Sequence, residues 1–185
     1  FINKINEFSP DLLLFSVVED TFKQALLLLD AIEDFKLNSL VGGVFITAAP
    51  EVAMSYPLVK MIGLGEGEQI VKSVAINLRD NKSLDKIPGL WIKKENGTII
   101  RNPPGSLIDV NIEIPDFSLF DDNRFLRPMG GRVFKTLPLE TFRGCPFQCT
   151  FCNSPMQVRF SKNNKLGNFL RTKNVERIRF RSLIL

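Results

Sequence analysis

The chain has 185 residues, a net charge of +4 and a hydrophobic content of 44 %. Its mean hydropathy is +0.05 and its pI is about 9.1. That length suits one domain or two small ones, with enough apolar side chain to bury a core. No run approaches the ~18 apolar residues of a spanning helix, and no charged-then-apolar leader opens the chain. Much of the basic charge comes late, from Arg159 to Arg181. Aromatic residues are not interleaved there in a binding pattern. The stretch reads as a solvated helix face, and nucleic acid is set aside as a partner.

In chain order, the first element is Asp11 to Val18, which is apolar on both faces and reads as a buried parallel strand. Thr21 to Lys36 has helical spacing, with Phe22, Ala25, Leu26, Leu29 and Ile32 on one face. Asp20 or Thr21 can cap it. Leu40 to Thr47 reads as a second strand, interrupted by Gly42-Gly43. Pro50 then opens a short helix. Val59 to Leu64 predicts a third strand, and Gln69 to Arg79 a helix. Strand and helix alternate three times, which predicts a doubly wound, largely parallel α/β sheet of Rossmann-like form.

Ligands of such sheets sit at the C-terminal strand ends. Ser16, Gly42-Gly43 and the turn Gly65-Glu66-Gly67-Glu68 fall there. Glycine lets backbone approach a bulky ligand, although a Gly-Gly pair also serves as a bend or a packing contact. The turn is not a G-x-G-x-x-G fingerprint.

Residues 82–137 read as a linker. Ile87 to Ile92 and Lys94 to Ile100 predict a β-hairpin turned at Asn96-Gly97. Pro103-Pro104, Pro115 and Pro128 mark extended crossings. Asp116, Asp121 and Asp122 read as a solvated surface rather than a carboxylate metal site. Leu137 to Phe142 predicts a strand, and Phe169 to Ile184 a helix.

All three cysteines lie between them, as Cys145, Cys149 and Cys152. An odd, clustered count does not suit a disulfide framework. A zinc site usually takes four Cys or His ligands; this chain has no His, so zinc would need a carboxylate. Three thiolates suit an iron–sulfur cluster with one iron left open. A three-Cys metal loop of another kind, or three reduced thiols without metal, also fits the spacing. Reduced, closely spaced cysteines point to a reducing cytoplasmic compartment.

The run Arg143-Gly144-Cys145-Pro146, with Phe151 before the third cysteine, resembles the signature of the radical S-adenosylmethionine (SAM) superfamily. The resemblance implies a 4Fe-4S cluster on Cys145, Cys149 and Cys152, with SAM on the fourth iron and Phe151 near its adenine. It also implies reductive cleavage of SAM to a 5′-deoxyadenosyl radical. Ser16-Val17-Val18, Gly42-Gly43, Thr47 and Gly65-Glu66-Gly67-Glu68 resemble, in order, the cobalamin-binding domain that precedes many radical SAM domains. On that analogy Ser16, Gly42, Gly43, Thr47, Gly65, Glu66 and Gly67 line a cobalamin site. The cobalt-ligating His of many such domains has no counterpart here.

These resemblances imply a division into a partial cobalamin domain (1–81), a linker (82–137) and the first βα unit of a β/α barrel (138–185). A whole barrel needs on the order of 200 residues, so the chain is expected to be a fragment and, alone, inactive in SAM cleavage. The expected function is cobalamin-dependent methyl transfer to an unactivated centre of a small-molecule substrate, with flavodoxin or ferredoxin as reductant. An oxidative cyclase of tetrapyrrole type and a non-catalytic cobalamin or iron–sulfur module are the alternatives. A methylthiotransferase is set aside, because its usual second set of three cysteines is missing.

Overall fold

The computed structural model describes residues 1–112, 116–176 and 178. It divides into two units, one of Phe1–Ile108 with Phe147–Asn168 and the other of Asp109–Pro146 with Phe169–Leu185. Among the described residues no helix is long and apolar enough to cross a membrane.

The first unit is built on a five-stranded sheet in the order β1-β2-β3-β4-β5. Its strands are β1 (Leu12–Ser16), β2 (Asn38–Gly42), β3 (Met61–Gly63), β4 (Leu90–Lys93) and β5 (Ile99–Arg101). Strands β1, β2 and β3 run parallel. Strands β4 and β5 form the expected hairpin, and β4 joins β3 antiparallel. The hairpin read as part of the linker therefore extends the sheet, which is mixed.

Side chains alternate across the strands. Val41 and Ile62 face a core with Phe22, Leu29, Ile46 and Met54. These come from α2 (Glu19–Asp30), α3 (Val44–Ala48) and α4 (Pro50–Ser55). Leu40 and Met61, one residue away on each strand, face Ile70 and Val74 of α5 (Gly67–Arg79). Helices thus cover both faces, as the α/β reading expects. The Thr21 hydroxyl reaches back to the N–H and C=O of Val18 and ties the start of α2. A short helix α1 (Ile2–Phe8) also packs Ile5 into the first core; the sequence reading assigned it no element.

Three expectations in this unit are corrected. The helix expected over Thr21 to Lys36 starts at Glu19, behind Val18 rather than a capping Asp20 or Thr21, and ends at Asp30, with a separate 3-10 turn at Glu33–Phe35. Among the described residues, strand β1 pairs only with β2 and so lies at the sheet edge, and its Leu14 is 54 % exposed. Val44 to Thr47 is helical, not strand. Gly43 takes φ +102, a conformation open to glycine but costly for other residues, and so turns the chain out of the sheet.

The second unit carries two small ladders. Strands β6 (Leu126–Met129) and β7 (Arg132–Lys135) form an exposed hairpin around Gly130-Gly131. Strand β8 (Phe142–Arg143) pairs antiparallel with β9 (Arg171–Thr172). The strand expected over Leu137 to Phe142 is thus reduced to its last position plus Arg143. The helix expected from Phe169 starts only at Val175, because Arg171–Thr172 is used as strand. Most of its C-terminal half lies outside the described residues.

Glu140 ties this region together. It accepts a hydrogen bond from Arg143 Nε at 2.9 Å and pairs with the buried Lys173 ammonium. Burial pushes the Glu140 carboxyl up, but its hydrogen bonds and charge attraction with Arg143 and Lys173 prevail and hold it at about 2.

Candidate functional site

The C-terminal ends of the three parallel strands meet at one edge. Ser16 is the register partner of Gly42. Val41 is the partner of Ile62, and the Gly63 carbonyl lies 3.9 Å from a Cβ built on Gly42. Val17 N–H donates to Gly42 O at 2.9 Å, and Phe45 N–H donates to Val17 O at 3.4 Å. The loops after β1 and β2 are thereby laced together.

The glycines of this edge do different work. A Cβ on Gly43 would lie 2.4 Å from Val17 O, so Gly43 is required by backbone packing. A Cβ on Gly42 meets nothing nearer than 3.9 Å, and one on Gly67 meets nothing within 4 Å. Gly42 thus makes ordinary contacts, and Gly67 leaves open space. Gly65, at φ +82, faces the Phe160 ring, whose Cε1 would be 3.3 Å from an added Cβ.

Thr47 is a clip. Its hydroxyl donates to Gly43 O at 3.3 Å and accepts from Gly65 N–H at 3.0 Å. It is 8 % exposed, so its side chain is spent on joining the two loops. Glu66 is also engaged, accepting from Ile108 N–H at 2.8 Å. Ser16, by contrast, is exposed. The structure thus brings Ser16, Gly42, Gly43, Thr47, Gly65 and Glu66 to one end of the sheet, with Gly67 starting α5.

In the second unit, Cys145 is half-buried and follows Gly144. Gly144 has φ +95, and a Cβ there would lie 2.5 Å from Phe169 O, so only glycine fits this backbone contact. In the first unit, Cys149 and Cys152 are exposed and Phe151 is 91 % exposed. Cys152 N–H donates to Cys149 O at 3.2 Å. Ser154 N–H donates to Cys152 Sγ at 3.4 Å. All three thiols are free of disulfides. Among the described residues, no group of three or more His, Cys, Asp or Glu side chains is gathered to hold a metal ion.

Helix α6 (Ser154–Asn163) follows the third cysteine. It carries Phe160 to Gly65 and packs beside α3. The sequence reading did not assign this helix. Its signal was Pro155, early in the first turn.

No family model matches the chain. Over 179 residues, 94 % of its length, it is 30 % identical to an uncharacterized methyltransferase of Pyrococcus horikoshii, of which it covers 36 %. Over 112 residues it is 26 % identical to an anaerobic magnesium-protoporphyrin IX monomethyl ester cyclase of Synechocystis sp., of which it covers 22 %. The chain therefore spans about a third or less of the length of these curated relatives. Among solved structures, it matches the cobalamin-dependent S-adenosylmethionine radical enzyme OxsB with aqua-cobalamin bound. The TM-score is 0.61 and the identity 24 %, over 89 % of this chain and 25 % of that one. It also matches the radical S-adenosylmethionine methyltransferase TsrM from Kitasatospora setae with cobalamin and a 4Fe-4S cluster bound. There the TM-score is 0.58 and the identity 18 %, over 94 % of this chain and 35 % of that one. Over most of its length, then, the chain is similar to cobalamin-dependent radical SAM enzymes, the resemblance that its strand-end glycines and its cysteine run carry in the sequence.

Proposed function

We propose that this chain is the corrinoid-binding and cluster-loop portion of a cobalamin-dependent radical SAM methyltransferase acting on a small molecule in the cytoplasm. The observation that carries the reading is the strand-end edge, where Ser16 faces Gly42 in register, a Cβ on Gly42 would make only ordinary contacts and open space lies over Gly67. In a parallel sheet this is the end at which ligands bind.

The residues fit the groups. Three free thiols, with no His in the chain, are the donor set of a 4Fe-4S cluster with an open iron. Cys145, Cys149 and Cys152 would hold it, and ligation would draw the loop into order, since metal binding and local folding are coupled. When bound, the cluster supplies the electron for SAM cleavage and the corrinoid supplies a methyl carrier. The chain's own residues bind and orient. Ser16, Gly42 and Gly67 would receive the corrinoid, while Gly43, Thr47 and Glu66 hold the loops around that edge. Phe151, 91 % exposed, would cover SAM adenine as the resemblance implies. An acidic one-electron donor of the flavodoxin or ferredoxin kind supplies the reductant.

The exposure of Cys149 and Phe151 leaves water free to reach the loop. Water exclusion strengthens control of such chemistry. The 185-residue chain alone is therefore expected to bind a cluster yet cleave SAM slowly.

Anaerobic reconstitution, followed by incubation with SAM and reductant, tests the reading. Uptake of close to about four irons per chain, with hydroxocobalamin bound in a 1:1 complex, supports it. Stoichiometric zinc with no iron uptake sinks it. In the longer protein, a methylated product marks the transferase, and an oxidised, ring-closed product marks the cyclase reading instead.

A further inference from the structure

The strand-end edge is open at some positions and filled at one. Space lies over Gly67 and Gly42 makes only ordinary backbone contacts, but the ring of Phe160 rests on Gly65. Gly65 is held at this place by the Thr47 hydroxyl. A flat aromatic group against a bare glycine backbone is a contact that the planar ring of a ligand can also make. Here the chain's own side chain makes it.

The helix that carries the ring is lightly seated. Only Pro155 and Ser161 of α6 are buried, and Phe160 itself is half-buried against the margin of the core. The N-terminal end of α6 adjoins the exposed cysteine loop, and its first N–H is held by Cys152 Sγ. Its other end is tied by Ser161, whose hydroxyl donates to Gly167 O at 3.0 Å. Few buried contacts mean a low cost of local opening.

The geometry points to Phe160 as an autoinhibitory plug: its ring occupies the Gly65 position of the corrinoid edge, and the nucleotide base of a corrinoid must displace it to bind. The inference rests on the corrinoid reading proposed above. It explains why Gly65 is covered by a side chain while nearby Gly67 is open. When only part of the population has the ring withdrawn, apparent affinity falls by that fraction.

The test is a titration of the full chain with hydroxocobalamin and, in parallel, with cobinamide, which has the corrin ring but no nucleotide base. Phe160→Ala is expected to bind hydroxocobalamin at least about tenfold more tightly than the wild type. Phe160→Leu should fall between them, and cobinamide affinity should not change. A measurement on the wild type guards against a folding defect in the variants. Hydrogen exchange over residues 154–163 should speed up when hydroxocobalamin binds, because α6 is pushed off its seat. Equal or weaker binding by a folded Phe160→Ala, or slower exchange of α6 on binding, would make the ring a wall and overturn the plug. If neither wild type nor folded variants bind any corrinoid, the corrinoid reading itself fails and the plug falls with it.

Discussion

Ser16 of β1 lies directly opposite Gly42 of β2, and the next residue, Gly43, leaves the sheet at φ +102. The two adjacent glycines therefore answer to different constraints. Gly43→Ala places a Cβ 2.4 Å from Val17 O in a strained backbone conformation. It should cost roughly 2–3 kcal/mol or more in urea unfolding. Gly42→Ala meets only ordinary contacts and should stay within about 1 kcal/mol of wild type, while weakening hydroxocobalamin binding. Equal losses of stability at the two positions would contradict this division.

The Thr47 hydroxyl bridges Gly43 O and Gly65 N–H. Thr47→Val keeps the shape and leaves the Gly65 donor without that acceptor, at a cost of about 1–3 kcal/mol. Thr47→Ser keeps the bridge and should recover most of the loss. Urea titration of the pair decides it, and a serine variant as unstable as the valine would show that the methyl, not the hydroxyl, matters.

Glu140 sets a pH window for the second unit. Its carboxyl falls from 4.5 to about 2 in the folded chain, so the folded state favours the ionised form. Its contribution is present in full above pH 4.5 and is lost as the pH falls toward 2. Protection factors of the β8 and β9 amides, measured against intrinsic exchange at each pH, should fall through that range. Glu140→Gln should show low protection already at neutral pH and little further change on acidification.

The cysteine loop separates stability from cofactor binding. Phe151 is 91 % exposed, so Phe151→Ala should change unfolding free energy by no more than about 0.5 kcal/mol. It should nonetheless weaken SAM binding to the reconstituted protein. Cys149→Ala, also at an exposed position, should leave folding intact and abolish iron uptake. Retained stoichiometric iron in that variant would remove Cys149 from the ligand set.

Local pattern made much of the α/β layer legible. The helical stripe from Phe22 to Leu29 and the Asn96-Gly97 turn appear where the sequence places them, because spacing and turn chemistry act over a few residues. Val44 to Thr47 forms a helix although its β-branched, aromatic run resembles a strand. Gly43 overrode that propensity by turning the chain, and Ile46 then found a buried place beneath the sheet as part of a helix. The apolar run Leu12 to Phe15 suggested a central strand, yet position in a sheet is decided by what pairs beside it, and β1 pairs only with β2 among the described residues.

By itself the sequence determined the chemistry on offer: three clustered thiols, no imidazole, and small residues at three strand ends in a fixed order. These are composition and spacing, which need no fold to be read. The tertiary structure alone decided what each small residue is for. Parallel register set Ser16 beside Gly42, the Thr47 hydroxyl joined residues 43 and 65, and the helix after Cys152 carried Phe160 onto Gly65. Those contacts join segments far apart in the chain, and the excluded volume of close packing, rather than any local preference, determines which glycine is open and which is filled.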